Sequence, residues 1–385
     1  MTSETRWLPV DGLETLRLRK SAKWRTYPAD VLPLTVAEMD FGLAPPVQEA
    51  LRAAVERSDT GYAMPAPELG GAFADFARRR WSWNVDPEAV AAVPDVGVGV
   101  VELLRVLAHP GDAVVISPPV YPPFFEWASE ARTRLVEAPL RLNEVGWRLD
   151  FDELEKAFAA HPAVYVLCNP HNPVGRVHSS EELATLAGLA CRYGVTIVSD
   201  EIHAPLALPG ATFTPMLTVP GAAAITVSVL SASKAWNLAG LKCAVIVTAS
   251  EEMASRVNLL PPDVRWRTGH FGVLATVAAF ADGGSWLDEL LSTLEQRRTL
   301  LTGLLHDRLP EVTWQAPEAT FLAWLDCRAF GDGDEPRDRF LEAGRVALEP
   351  GLRFGHPGSG YVRLNFGTSA EILDEATARM ARAVA

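Results

Sequence analysis

Apolar and polar positions along this chain fall into blocks, and the blocks change period. The runs GDAVVISPP, AVYVLCNP, VTIVSDE, AAAITVSVLS and KCAVIVTAS are short and rich in β-branched residues, and each stops at a turn or polar residue. Uninterrupted apolar runs of this length predict strands buried on both faces. Between several of them lie stretches with helical spacing. In SEELATLAGLACRY, Ser180 to Tyr193, Ser179 or Ser180 is placed to cap the helix and Glu182 to complete a capping box. Trp286 to Arg308 predicts one long helix, with Leu287, Leu290, Leu291, Leu294, Leu300, Leu301 and Leu304 as its apolar positions. ATFLAWLD and YVRLNF then read as strands before a final helix. Strands alternating with helices predict an α/β fold: a large, mostly parallel sheet covered by helices on both faces.

Length divides this pattern. At 385 residues the chain exceeds a single core, since cores stop growing near about 250 to 300 residues. The texture changes after Gly284, and no repeat or low-complexity linker intervenes. The expectation is a large domain over 46–284 and a smaller α/β domain built from the N-terminal segment 1–45 and the C-terminal part 285–385. A net charge of -13 argues against nucleic acid as a partner, because a phosphate backbone is held by clustered Lys and Arg. The start MTSETRWLPVDG has no apolar signal core, and no run approaches the roughly 18 apolar residues of a membrane span, so a cytoplasmic protein without membrane association is expected. Cys168, Cys191, Cys243 and Cys327 are scattered, which suggests buried thiols and neither a zinc site nor a disulfide framework.

Ligands of such sheets bind outside the carboxyl ends of the strands. Four predicted ends carry polar groups there: Asn169 after AVYVLC, Asp200 after VTIVS, Ser231 to Lys234 after ITVSVL, and the glycines of Val96 to Gly99 before a helix. An amine, a carboxylate, an amide and an anion nest on one edge suit pyridoxal 5'-phosphate. Its aldehyde needs a lysine, and its ring nitrogen stays protonated beside a carboxylate. Its phosphate needs backbone N–H groups at a helix start, hydroxyls and a cation.

LCNPHNPVGRV, SDEIH and SASKAWNLAGLK, in that order, resemble the fold type I (aminotransferase-fold) pyridoxal-phosphate enzymes of the class I/II aminotransferases. AEMDFGLAPPV, GDAVVISPPVYPPF, the NPHNPVGR form and PEATFLAWLD are similar to the cystathionine β-lyase-like carbon–sulfur lyase branch, over most of the chain from Val36 to Phe366. The resemblance implies that Lys234 anchors the cofactor and takes the substrate α-proton. It implies that Asp200 pairs with the ring nitrogen, Asn169 with the ring hydroxyl, and that Tyr121 stacks on the ring. Ser231, Ser233, Lys242 and the backbone of Val96 and Gly97 would hold the phosphate; Lys242 stands where many relatives have arginine and lacks its bidentate fork. Arg363 would clamp the carboxylate of a small amino-acid substrate. Tyr62 would cross to the neighbouring site in a homodimer, and His203 would sit near the ring hydroxyl.

Each residue has a structural competitor. Asp200 suits a helix N-cap, Tyr121 packing among prolines, His203 a core histidine, and Arg363 a solvent-facing strand position. Lys234 alone, Tyr62 and Lys242 suit purely structural roles. Ser231-Ala-Ser-Lys234 also matches S-x-x-K of the β-lactamases, but no S-D-N follows at the required place. Gly97-x-Gly99 lacks the third glycine of a dinucleotide fingerprint, Glu102 standing there. The expected reaction is β-elimination from cystathionine or a cysteine-type amino acid, giving a thiol, pyruvate and ammonia. Amino transfer to a 2-keto acid is the alternative, and a cofactor-binding regulator without catalysis is a third reading. His203, where many aminotransferases carry tyrosine, favours the lyase. AEMDF for the usual ADMDF, His178 for a common tryptophan, and Pro205 for an acidic residue leave the substrate open.

Overall fold

The computed structural model describes residues 8–63, 67–331, 333 and 335–385, so residues 1–7 of the predicted N-terminal segment lie outside it. Uninterrupted apolar runs need cover on both sides, and the predicted runs lie side by side in one sheet. Across that sheet the strands run Val90–Val93, Ala244–Val247, Thr226–Leu230, Thr196–Asp200, Val164–Cys168, Ala113–Ile116 and Arg134–Glu137. All pairings are parallel except those of Ala244–Val247, which is antiparallel to both neighbours. Every residue of Val164–Cys168, Thr226–Leu230 and Ala244–Val247 is buried. The fold class read from the sequence is therefore the one observed. The reversed strand was not legible, because a run buried on both faces carries no sign of direction.

Alternate strand residues feed separate cores. Val114, Ile116, Val164, Val166, Val227 and Val229 pack with the helices Val96–Leu107, Pro123–Glu130 and Glu251–Val257. Val115, Tyr165, Leu167 and Ile197 pack on the other face with Phe151–Phe158 and Ser180–Tyr193. The latter helix has the predicted capping box: the Ser179 hydroxyl accepts from the Glu182 N–H while the Glu182 side chain accepts from the Ser179 N–H. It ends at Gly194, whose φ of 69° is the left-handed conformation that glycine adopts at no steric cost. The long helix runs Gly284–Arg308, starting two residues ahead of the predicted Trp286, because Gly283 closes the preceding helix His270–Asp282 and opens the next.

The C-terminal part forms a second, antiparallel sheet ordered Thr313–Trp314, Leu322–Asp326, Tyr361–Asn365 and Glu349–Pro350. Leu32–Pro33 pairs in parallel with Val346–Ala347, tying the N-terminal segment to this part of the chain. Just after it, the loop 35–40 is held from several sides. Arg363 and Asn365 donate to the carbonyls of Thr35, Val36 and Glu38, and Asn237 brackets Met39 through both its N–H and its C=O. Lys23 and Asp40, both about 1% exposed at the side chain, form an ion pair of 2.7 Å, and Trp24 donates to the same carboxylate. A buried charge is tolerated only when so paired and hydrogen-bonded, which fixes the loop against the site. No helix among the described residues is long and apolar enough to cross a membrane.

Candidate active site

Register places the strand ends together. Cys168 is level with Asp200, and Asp200 with Val229, so the residues that follow these strands share one edge. A cavity of about 290 Å³ opens there. Lys234, Asp200, Tyr121, His203, Ser231, Ser233, Lys242, Val96 and Gly97 all line it, together with Asn172, Trp127, Asp95, Ala37, Cys168 and Cys243.

Lys234 sits in the turn after Thr226–Leu230, and its Nζ donates to the Ala37 carbonyl at 3.1 Å. Burial, and next the Arg363 guanidinium, bring its pKa down from 10.5 to about 8. Asp200 ends its strand at 4% exposure and accepts from the Ile202 N–H at 3.1 Å. Burial pushes its carboxyl up to about 7, against the pull of that N–H and of Lys234. His203, 2% exposed, is driven down to about 3 by burial and by the positive groups Lys234 and Arg363, so its imidazole is neutral at pH 7. Tyr121 stands edge-on to Trp127, with ring centroids 6.4 Å apart. Burial raises the pKa of its phenol.

At the far wall the helix Val96–Leu107 begins, with Asp95 as its N-cap. The first N–H groups of a helix have no partner within it, and Val96 and Gly97, the first two residues of this one, line the cavity. A Cβ on Gly97 would come within 3.3 Å of the Trp127 indole nitrogen, so glycine lets the backbone pass close to that ring. The Ser231 hydroxyl donates to the Cys243 carbonyl at 2.7 Å and accepts from the Ser233 N–H at 3.0 Å, which ties the turn around Lys234 to the neighbouring strand.

Asn169 departs from its expected place. Its backbone N–H still bonds the Asp200 carbonyl as a continuation of the strand, and its side chain donates to the Thr214 carbonyl at 3.2 Å. It is fully buried and does not line the cavity; the turn that follows brings Asn172 there instead. Asn172 accepts from Arg363 Nη1 at 3.0 Å. Both asparagines belong to NPHNP, and nothing in the residue types tells which of the two turns inward. Arg363, 3% exposed, lies behind Asn172, also donates to the Thr35 carbonyl at 2.9 Å, and stacks its guanidinium over Phe354 at 4.9 Å. It is therefore a buried arginine, not the solvent-facing strand position that competed with this reading. Tyr62 is 84% exposed, lies outside the cavity lining, and meets the Trp266 ring edge-on at 6.4 Å. The sequence reading also passed over Glu201, a fully buried acid beside Asp200 that accepts from the Ser199 hydroxyl and the Met216 N–H, each at 2.9 Å.

An amine and a carboxylate face one cavity whose far wall is a helix N-terminus, a donor set that fits an aldehyde-bearing, cationic-ring phosphate. The profile of the family "Aminotransferase class I and II" matches residues 29–380. The chain belongs to that family. A provisionally named cystathionine beta-lyase of Mycobacterium leprae is 46% identical, the match covering 97% of this chain and 96% of that protein. The cystathionine beta-lyase PatB of Bacillus subtilis is 35% identical over 92% and 93% of the two chains. A solved structure from Corynebacterium diphtheriae, provisionally described as a pyridoxal-phosphate-dependent beta-cystathionase, superposes with a TM-score of 0.91 at 35% identity, covering 98% of this chain and 99% of that one. Within the class I and II aminotransferases, the branch expected from AEMDF and NPHNPVGR is thus the branch of these relatives.

Proposed function

We propose that this protein is a pyridoxal-phosphate-dependent carbon–sulfur β-lyase that cleaves cystathionine or a cysteine-type amino acid into a thiol, pyruvate and ammonia. The observation that carries the reading is one cavity flanked by both the Lys234 amine and the Asp200 carboxylate, in a chain whose full-length relatives bear lyase names. When bound, pyridoxal phosphate supplies an aldehyde for the amino group and a ring that draws electrons from the α-carbon.

The chain's own residues do the rest. Lys234 holds the cofactor and, once displaced by substrate, removes the α-proton; a positioned base of this kind is worth about 10²- to 10⁴-fold. Asp200 keeps a proton on the ring nitrogen, an assignment supported by its buried carboxyl, which among the described residues accepts from one backbone donor. Asn172, in place of Asn169, stands by the ring hydroxyl and links it to Arg363, which orients the substrate carboxylate. His203 is neutral and lies beside them, and Tyr121 covers the ring with Trp127 behind it. Val96, Gly97 and Ser233 take the phosphate, with the Lys242–Asp95 pair beside them. A homodimer in which Tyr62 crosses to the partner's site belongs to the same proposal. Its support is an exposed aromatic pair, Tyr62 and the half-exposed Trp266, of a kind a lone subunit leaves in water. So does a small domain of 1–45 and 285–385, supported by the pairing of Leu32–Pro33 with Val346–Ala347.

The depressed lysine pKa has a measurable sign. Only the neutral amine attacks an aldehyde, so cofactor uptake by the apo-protein rises with pH and levels off above about 8. Stopped-flow uptake rates across pH 6 to 10 check this. A rate still climbing through the ordinary lysine range, near about 10.4, means an amine free of these surroundings.

Lyase and transaminase share these residues, so the reaction is tested on products. Incubation with cystathionine releases pyruvate and ammonia without added keto acid. A stoichiometric requirement for a 2-keto acid, with amino transfer and no thiol, replaces the lyase by the aminotransferase.

A further inference from the structure

The anion end of the cavity contains a carboxylate. Asp95 Oδ1 accepts from the Val98 N–H at 2.8 Å as the helix N-cap, while Oδ2 accepts from Lys242 Nζ, also at 2.8 Å. Both residues line the cavity, with side chains 34% and 57% exposed. Lys242 is fixed at its backbone as well: its φ is 62°, and its carbonyl accepts from the Gly269 N–H at 2.9 Å. A phosphate on the Val96 and Gly97 N–H groups therefore stands beside a negative side chain, and the Lys242 ammonium nearby is already engaged by that side chain.

We propose that Asp95 and Lys242 set the strength of phosphate binding as an opposed pair: Asp95 holds affinity for the phosphate dianion down, and Lys242 acts chiefly by masking Asp95. This rests on the pyridoxal-phosphate reading above. Two unit charges about 4 Å apart interact by about 1 kcal/mol in water and by more where the dielectric is lower. Removing the like charge from the wall therefore tightens phosphate binding by about fivefold or more. Asparagine and serine cap helices about as well as aspartate, so Asp95→Asn and Asp95→Ser take the charge and leave the cap.

The test is a titration of apo-protein with pyridoxal phosphate and with pyridoxal, read by calorimetry. The proteins are the wild type, Asp95→Asn, Asp95→Ser, Lys242→Met and the variant combining Asp95→Asn with Lys242→Met. Both Asp95 variants are expected to bind pyridoxal phosphate about fivefold or more tightly, with pyridoxal unchanged. Lys242→Met is expected to weaken binding in the wild-type background and to cost several-fold less when combined with Asp95→Asn. Unchanged or weaker binding by both Asp95 variants overturns the proposal. So does equal tightening toward pyridoxal, which has no phosphate. Equal losses from Lys242→Met in both backgrounds make Lys242 an independent phosphate ligand and also overturn it. A wild type that binds no pyridoxal phosphate removes the cofactor reading and this proposal together, whereas a wild type that binds it normally beside unaltered Asp95 variants removes this proposal alone.

Discussion

Lys234→Ala lowers turnover by about 10³-fold or more while the protein stays folded. In the proposed mechanism the same amine anchors the cofactor and moves the α-proton, so both functions go with one side chain. The fold does not depend on it. Among the described residues the lysine side chain makes one hydrogen bond, to the Ala37 carbonyl, and the loop carrying that carbonyl is held independently by Arg363, Asn365, Asn237 and the Lys23–Asp40 pair. Taking a desolvated ammonium out of the interior also removes an unfavourable burial. Thermal unfolding of the apo-protein should therefore match the wild type or exceed it, while kcat collapses. A variant that keeps a tenth of the activity shows that the proton is moved by another group.

Arg363→Ala carries the second large effect, a loss of about 10²- to 10³-fold in kcat/KM. Truncating one partner of a buried, hydrogen-bonded charge pair costs about 2 to 5 kcal/mol, and the substrate carboxylate is the proposed partner. The change also strips Asn172 Oδ1 and the Thr35 carbonyl of their donors and removes the cation over Phe354. Arg363→Lys keeps the charge and loses the planar fork, so it recovers only part of the loss. Steady-state kinetics separate the roles. A rise in KM with kcat retained marks the carboxylate clamp, while an equal fall in both kcat and kcat/KM with KM unchanged marks a purely organising function of the Asn172 contact.

The strands and the helices flanking them were legible because their periods are strong: the buried runs at 164–168, 226–230 and 244–247, and the boxed cap at Ser179. The cavity was legible through a rule of topology, since Asp200 ends one buried strand, Lys234 follows another, and register brings those ends level. What escaped depends on direction and on turns. The antiparallel course of Ala244–Val247 goes with a connection, 231–243, that holds turns and the short 3₁₀ helix Ala239–Leu241 where a parallel crossover usually has an α-helix. That Asn172 and not Asn169 lines the cavity goes with one backbone bond, Asn169 N–H to the Asp200 carbonyl, that prolongs the strand by a residue. Asp95 escaped as well, because a sequence does not show that one of its oxygens meets Lys242 across 147 residues of chain.

The most direct test of the account is reduction of the pyridoxal-phosphate-loaded protein with borohydride, followed by digestion and mass spectrometry of the peptides. The account predicts one phosphopyridoxyl group per chain, on Lys234 within SASKAWNLAGLK, and none after Lys234→Ala. Label on Lys242 or on any other lysine, or a protein that takes none, contradicts it.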